Sequence, residues 1–190
     1  MMKYYLIMIC VIAAINVSAQ IPCEVTTSVS DSLGTYKSTK EYLVYERNFA
    51  GKSSLMHFSL ELYDGTPVLN LEYVQKSKDF IKANCLDKNS RLYLQLDNGK
   101  IITLIYNGSE NCGISVRDDK GFTNRIMQGN FLFLKNTIEE LKASPISLMR
   151  IKFGTETVDY IMKSDLTAEF DGKHYYPQKY FMSTLPCLLN

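Results

Sequence analysis

The run Leu55-Met56-His57-Phe58-Ser59-Leu60-Glu61-Leu62-Tyr63-Asp64-Gly65-Thr66-Pro67-Val68-Leu69-Asn70-Leu71-Glu72-Tyr73-Val74 decides the fold. Two alternating segments flank Asp64-Gly65, a dipeptide that accepts the positive φ angles of a tight hairpin turn. With that turn as the loop, Leu60 faces Leu69, Phe58 faces Leu71 and Met56 faces Tyr73, so the apolar residues share one face. The opposite face sets His57 against Glu72. A slip of one residue would place Phe58 opposite Glu72, so the pattern itself selects the register.

Two further hairpins follow. Arg91–Tyr106 folds about Asn98-Gly99. A two-residue turn there puts Leu92, Leu94 and Leu96 on one face with Ile101, Thr103 and Ile105. Its other face, with Tyr93, Gln95, Ile102, Leu104 and Tyr106, is too apolar to stay wet, so this hairpin is expected to be central and covered on both sides. The third joins Ile146–Phe153 to Thr157–Lys163. A Gly154-Thr155 turn pairs Ile151 with Val158, Met149 with Tyr160 and Arg150 with Asp159, whereas a four-residue loop would shift those partners.

Further strands are expected at Glu24–Val29 and Glu41–Phe49. Residues 108–130, with Gly108, Gly113, Gly121 and Gly129, read as irregular loops with short strands. Thr137-Ile138-Glu139-Glu140 matches a capping box, and Ser144-Pro145 ends the helix it would start. Pro177 suits a first helical position, and Tyr180, Phe181, Thr184, Leu185 and Leu188 recur at helical spacing, interrupted by Pro186. The fold class is therefore mainly β (α+β): an antiparallel sheet or sandwich built from three hairpins with two short helices. An outer-membrane barrel fits the length, but the helix at Thr137–Ala143, the four Cys and the polar Asn190 ending speak against it.

Residues 1–19 read as a secretory signal, with Lys3, an apolar run from Leu6 to Ile15, and Val17-Ser18-Ala19 as the cleavage pattern. Pro22 before Cys23 does not fit a lipoprotein signal. Residues 20–190 then form a single β-rich domain that is secreted or periplasmic, with no transmembrane anchor after signal cleavage. The whole chain carries 21 basic and 20 acidic residues. Loss of Lys3 makes the mature chain neutral, and a neutral chain without a basic run lacks the patch that nucleic acid requires.

Cys10 leaves with the signal, and Cys23, Cys85, Cys112 and Cys187 remain. An even number in an exported chain favours two disulfides, in one of three connectivities. Continued outward, the two-residue register at Asn98-Gly99 sets Cys85 opposite Cys112, which leaves Cys23 for Cys187.

Catalytic signatures are sparse. No G-x-S-x-G, C-x-x-C, phosphate loop or dinucleotide fingerprint is present, and two His so placed speak against a three-ligand catalytic zinc site. His57 reads as a cross-strand partner of Glu72, and Asp118-Asp119 and Glu139-Glu140 as turn and cap residues. Asp87-Lys88-Asn89-Ser90-Arg91 fails as a calcium loop because Arg91 takes a ligand position. No catalytic residue, metal or cofactor is assigned. Strand tyrosines at Tyr42, Tyr45, Tyr63, Tyr73, Tyr93, Tyr106 and Tyr160 suit either a sheet or a recognition surface. His174, Tyr175, Tyr176 and Tyr180, close to Lys179, form the cluster selected for binding.

Asp97-Asn98-Gly99-Lys100-Ile101-Ile102-Thr103-Leu104, then Ile138-Glu139-Glu140-Leu141-Lys142 and Arg150-Ile151, resemble small exported proteins of unknown function from Bacteroidota, over residues 90–163. The resemblance implies a bacterial exported domain and carries no activity. The resulting expectation is a non-enzymatic binding or interaction module for a protein or glycan partner. Its rival is a secreted hydrolase built on converging carboxylates or His174.

Overall fold

The computed structural model describes residues 23–32 and 34–189. The segment read as a signal lies outside them. Among the described residues thirteen strands run in the order β1 (Val25–Asp31), β2 (Gly34–Thr39), β3 (Tyr42–Phe49), β4 (Lys52–Tyr63), β5 (Thr66–Ser77), β6 (Arg91–Leu96), β7 (Ile101–Tyr106), β8 (Ile114–Arg117), β9 (Thr123–Phe133), β10 (Ile146–Lys152), β11 (Thr157–Ile161), β12 (Leu166–Thr167) and β13 (His174–Tyr175). Helix α1 (Thr137–Ala143) precedes β10, and a 3-10 turn at Pro177–Lys179 leads into α2 (Tyr180–Leu189). The protein is mainly β: β1 to β11 form one antiparallel sheet and β12–β13 a small separate hairpin.

The β4–β5 hairpin has the expected register, with Leu60 opposite Leu69, Phe58 opposite Leu71, Met56 opposite Tyr73 and His57 opposite Glu72. Asp64 and Gly65 both take positive φ, as this turn requires. The two long strands organise the sheet. β4 is paired on its other edge by β2 near one end and β3 near the other. β9 pairs β5 along ten residues and offers its far edge to β7 and β8. The pairing order continues from β7 through β6 and β10 to β11. On the inner face Met56, Phe58, Leu60, Leu69, Leu71, Met127 and Phe131 pack with the second hairpin and both helices into one core. α2 buries the five residues read at helical spacing and runs through Pro186 without a break.

Three expectations are corrected. The β6–β7 register pairs Leu92 with Leu104 and Leu94 with Ile102. Leu96 N–H donates to Lys100 O across a three-residue loop in which Gly99 has φ +83°. The extra loop residue turns β7 over, so Ile102, Leu104 and Tyr106 are buried while Ile101 is exposed. The hairpin is central in the pairing order, but its outer face is only partly covered. Residues 108–130, read as irregular loops with short strands, contain most of the long strand β9. Finally, the α1 capping box does not form. Asn136 takes a left-handed conformation, which puts Thr137 already inside the helix; its hydroxyl donates to Leu134 O at 2.7 Å.

Both disulfides are present, Cys85–Cys112 and Cys23–Cys187. The first survives the shifted register because the arms between Arg91–Ile105 and Leu86–Asn111 hold five and six steps, which cancels the slip. Leu86 and Asn111 exchange both backbone hydrogen bonds. The next pair outward is therefore a close, non-hydrogen-bonded one, with Cys85 and Cys112 Cα atoms 4.0 Å apart.

Candidate binding cleft

β3 and β11 have no strand partner beyond β4 and β10 among the described residues, yet their side chains meet. The Tyr45 and Tyr160 rings pack edge-on with centroids 5.0 Å apart, and Tyr73 of β5 lies 6.3 Å from Tyr160. The sheet therefore curls until its ends face each other, and a cleft of about 360 Å³ opens over these rings. That volume lies near the lower end of the ~300–1,000 Å³ typical of small-molecule sites.

Each tyrosine is aimed by its strand. Tyr73 is in phase with buried Leu69 and Leu71. A bulge between Leu43 and Tyr45 resets β3, so Tyr45 packs against the core. Tyr160 is buried on β11 opposite Met149. A third wall comes from the connection between β5 and β6, which is anchored by Cys85 and brings Phe80, Ile81, Lys82 and Asn84 to the cleft. Phe80 is 88% exposed at the rim.

The floor is neutral and the acids are fixed. Burial raises the Tyr73 phenol above its ordinary value, partly offset by hydrogen bonds with Ser54, Tyr160 and Gln75. Burial, reinforced by Tyr73 and Tyr45, raises Tyr160 further. Both phenols stay protonated and able to donate. Glu156 is held low by Lys82, 2.7 Å away, and Asp159 by Arg150, whose Nε and Nη2 donate at 2.5 and 2.7 Å. The Asn84 Oδ1 atom is buried and has no hydrogen-bond partner. Arg47 makes no ion pair among the described residues; its guanidinium lies 6.0 Å from the Phe49 ring centroid.

The cluster selected from sequence divides. His174 is exposed on β13, with Nδ1 2.9 Å from Asp165 Oδ1 and 3.4 Å from Thr167 Oγ1. Tyr175 donates to Asp171 Oδ2 at 3.0 Å and packs edge-on against Tyr42. The Tyr176 N–H donates to the Tyr42 hydroxyl at 2.6 Å. Tyr180 is enclosed in the core against Phe58 and Phe181, and a ligand on the surface cannot reach it. Tyr42 thus gathers the other aromatics, while His174 looks outward on a separate hairpin.

Asp165 and Thr167 both address the same nitrogen of His174, whereas a catalytic relay needs the orienting acid and the nucleophile on opposite ring nitrogens. A glycosidase needs a carboxyl group with a raised pKa as its acid, and both cleft carboxyls are lowered. Glu139 pairs with Lys142 and Glu140 with Lys100. Asp87 Oδ1 accepts from the Asn89 N–H in its own turn. Cys85, Cys112 and Glu110 lie close enough to suggest a metal site, but the disulfide consumes both thiolates.

The strand tyrosines were visible in the sequence, but not their convergence. Tyr45, Tyr73 and Tyr160 lie on strands that are not neighbours in the chain, and no spacing rule joins them. No known protein family, characterised protein or solved structure matches this chain.

Proposed function

We propose that this protein is an exported, non-enzymatic binding module whose recognition site is the tyrosine cleft between β3 and β11. The observation that carries this reading is the convergence of Tyr45, Tyr73 and Tyr160 under an open concavity, with unsatisfied polar capacity at Asn84. Tyrosine offers large contact area at low entropic cost and one polar tip. Export rests on the signal-like residues 1–19 and on the two disulfides, which persist in oxidising compartments. No helix among the described residues is long and apolar enough to cross a membrane.

The test is a screen of the oxidised protein against glycan and peptide arrays, repeated with Tyr45→Ser. Tyr45 is only partly buried, so the variant is expected to fold and to lose at least tenfold in affinity for any hit. Hits that bind Tyr45→Ser equally well would place recognition elsewhere.

A further inference from the structure

We propose that the ligand of this cleft is an acidic glycan whose carboxylate is held at Arg47; the assignment rests on the cleft being the recognition site. Charge comes first. Each carboxylate lining the cleft already has a cation: Glu156 has Lys82, and Asp159 has Arg150. Lys52 and Lys76, also at the cleft, are paired with Asp79 and Asp118, each at 3.1 Å. Among the described residues Arg47 is left without an anion, above a floor of neutral phenols. A planar guanidinium held over an aromatic ring and open to solvent is suited to a bidentate carboxylate.

The uncharged groups select hydroxyls. Asn84 Oδ1 is a buried acceptor without a donor, and such an atom is costly to leave unmet. A sugar hydroxyl supplies that donor once the half-buried Asn84 side chain turns toward the cleft it lines. Two large apolar rings then stand exposed near the cationic edge, Phe80 at 88% and Phe49 at 71%. Phe80 lines the cleft and offers a stacking surface for the C–H face of a pyranose unit, while Phe49 lies under the Arg47 guanidinium. An acidic peptide would satisfy Arg47, but it has less use for a flat exposed ring at the rim of a small hydroxyl-accepting pocket.

The experiment titrates the oxidised protein with oligogalacturonate, a neutral glucan oligomer of equal length and oligoglutamate, while following backbone amide shifts at Tyr45 and Asn84. Oligogalacturonate is expected to bind at least tenfold more tightly than the glucan and to weaken as salt is raised. Arg47→Gln should lose about tenfold for the acidic sugar alone, and Phe80→Ser should weaken both sugars. Equal affinity for the two sugars, or no effect of Arg47→Gln, overturns the acidic assignment while shifts at Tyr45 and Asn84 leave the cleft reading intact. Tighter binding of oligoglutamate overturns the saccharide class. Binding that leaves both amides unmoved, or no binding by any of the three, overturns the cleft reading itself.

Discussion

Asp118 is fixed as a carboxylate from several sides. Its Oδ1 accepts from the Lys120 and Phe122 N–H groups at 3.0 and 2.9 Å, and its Oδ2 meets Lys76 Nζ at 3.1 Å. The Phe122 bond is the largest influence, and together with Lys76 and Asn124 it brings the carboxyl down to about 2. A carboxyl lower in the folded state than in the unfolded one contributes stability above pH ~4, lost as pH falls from there through about 2. Urea midpoints at pH 6 and pH 3 should therefore fall further apart in the native protein than in Asp118→Asn. An equal drop in both would show that the β8–β9 turn does not depend on the charge. From sequence, Asp118-Asp119 was legible as a turn pair because Asp bonds its own following backbone; the Lys76 partner, on β5, was not.

At the scale of elements, β9 explains both what sequence reading reached and what it missed. Gly129 sits mid-strand opposite Leu71, and a methyl group there would collide with Leu86 Cδ1 and come within 3.1 Å of Tyr106 Cε2. The glycine is a packing requirement, whereas in sequence it reads as a break. Gly129→Ala is expected to destabilise the fold by about 1–3 kcal/mol through overpacking, seen as a lower denaturant midpoint. A neutral result would mean that Leu86 or Tyr106 moves aside freely. The β6–β7 slip has a related cause: Asn98-Gly99 marks the turn, but a two-residue and a three-residue loop share that signal and differ in which face of β7 they bury. The β10–β11 turn carried less ambiguity in practice: Arg150 and Asp159 pair as a Gly154-Thr155 turn requires.

At the scale of the molecule, Cys23–Cys187 ties β1's approach to the end of α2, and Cys85–Cys112 closes the loop around the second hairpin. On the chain-entropy model the first contributes about 5 kcal/mol and the second about 3.6 kcal/mol, because the longer loop is the more restricted when unfolded. Paired Cys→Ala variants should rank in that order in chemical unfolding of the oxidised protein. The reverse order would make local packing, not loop length, the source of stabilisation. The cysteine pairing was reached through a β6–β7 register that the structure shifts by one residue, and the β10–β11 loop length stayed open. Local sequence was enough for the mainly antiparallel class, the β4–β5 register and the inward face of α2. These follow from alternation, turn chemistry and helical spacing, all of which act over a few neighbouring residues. Tertiary packing alone decided that residues 123–133 bridge the two halves of the sheet and that three distant tyrosines floor one cleft. The physical reason is curvature: how far a sheet of many strands curls depends on the packing of all its inner side chains and both helices at once. No local stretch of sequence carries that sum.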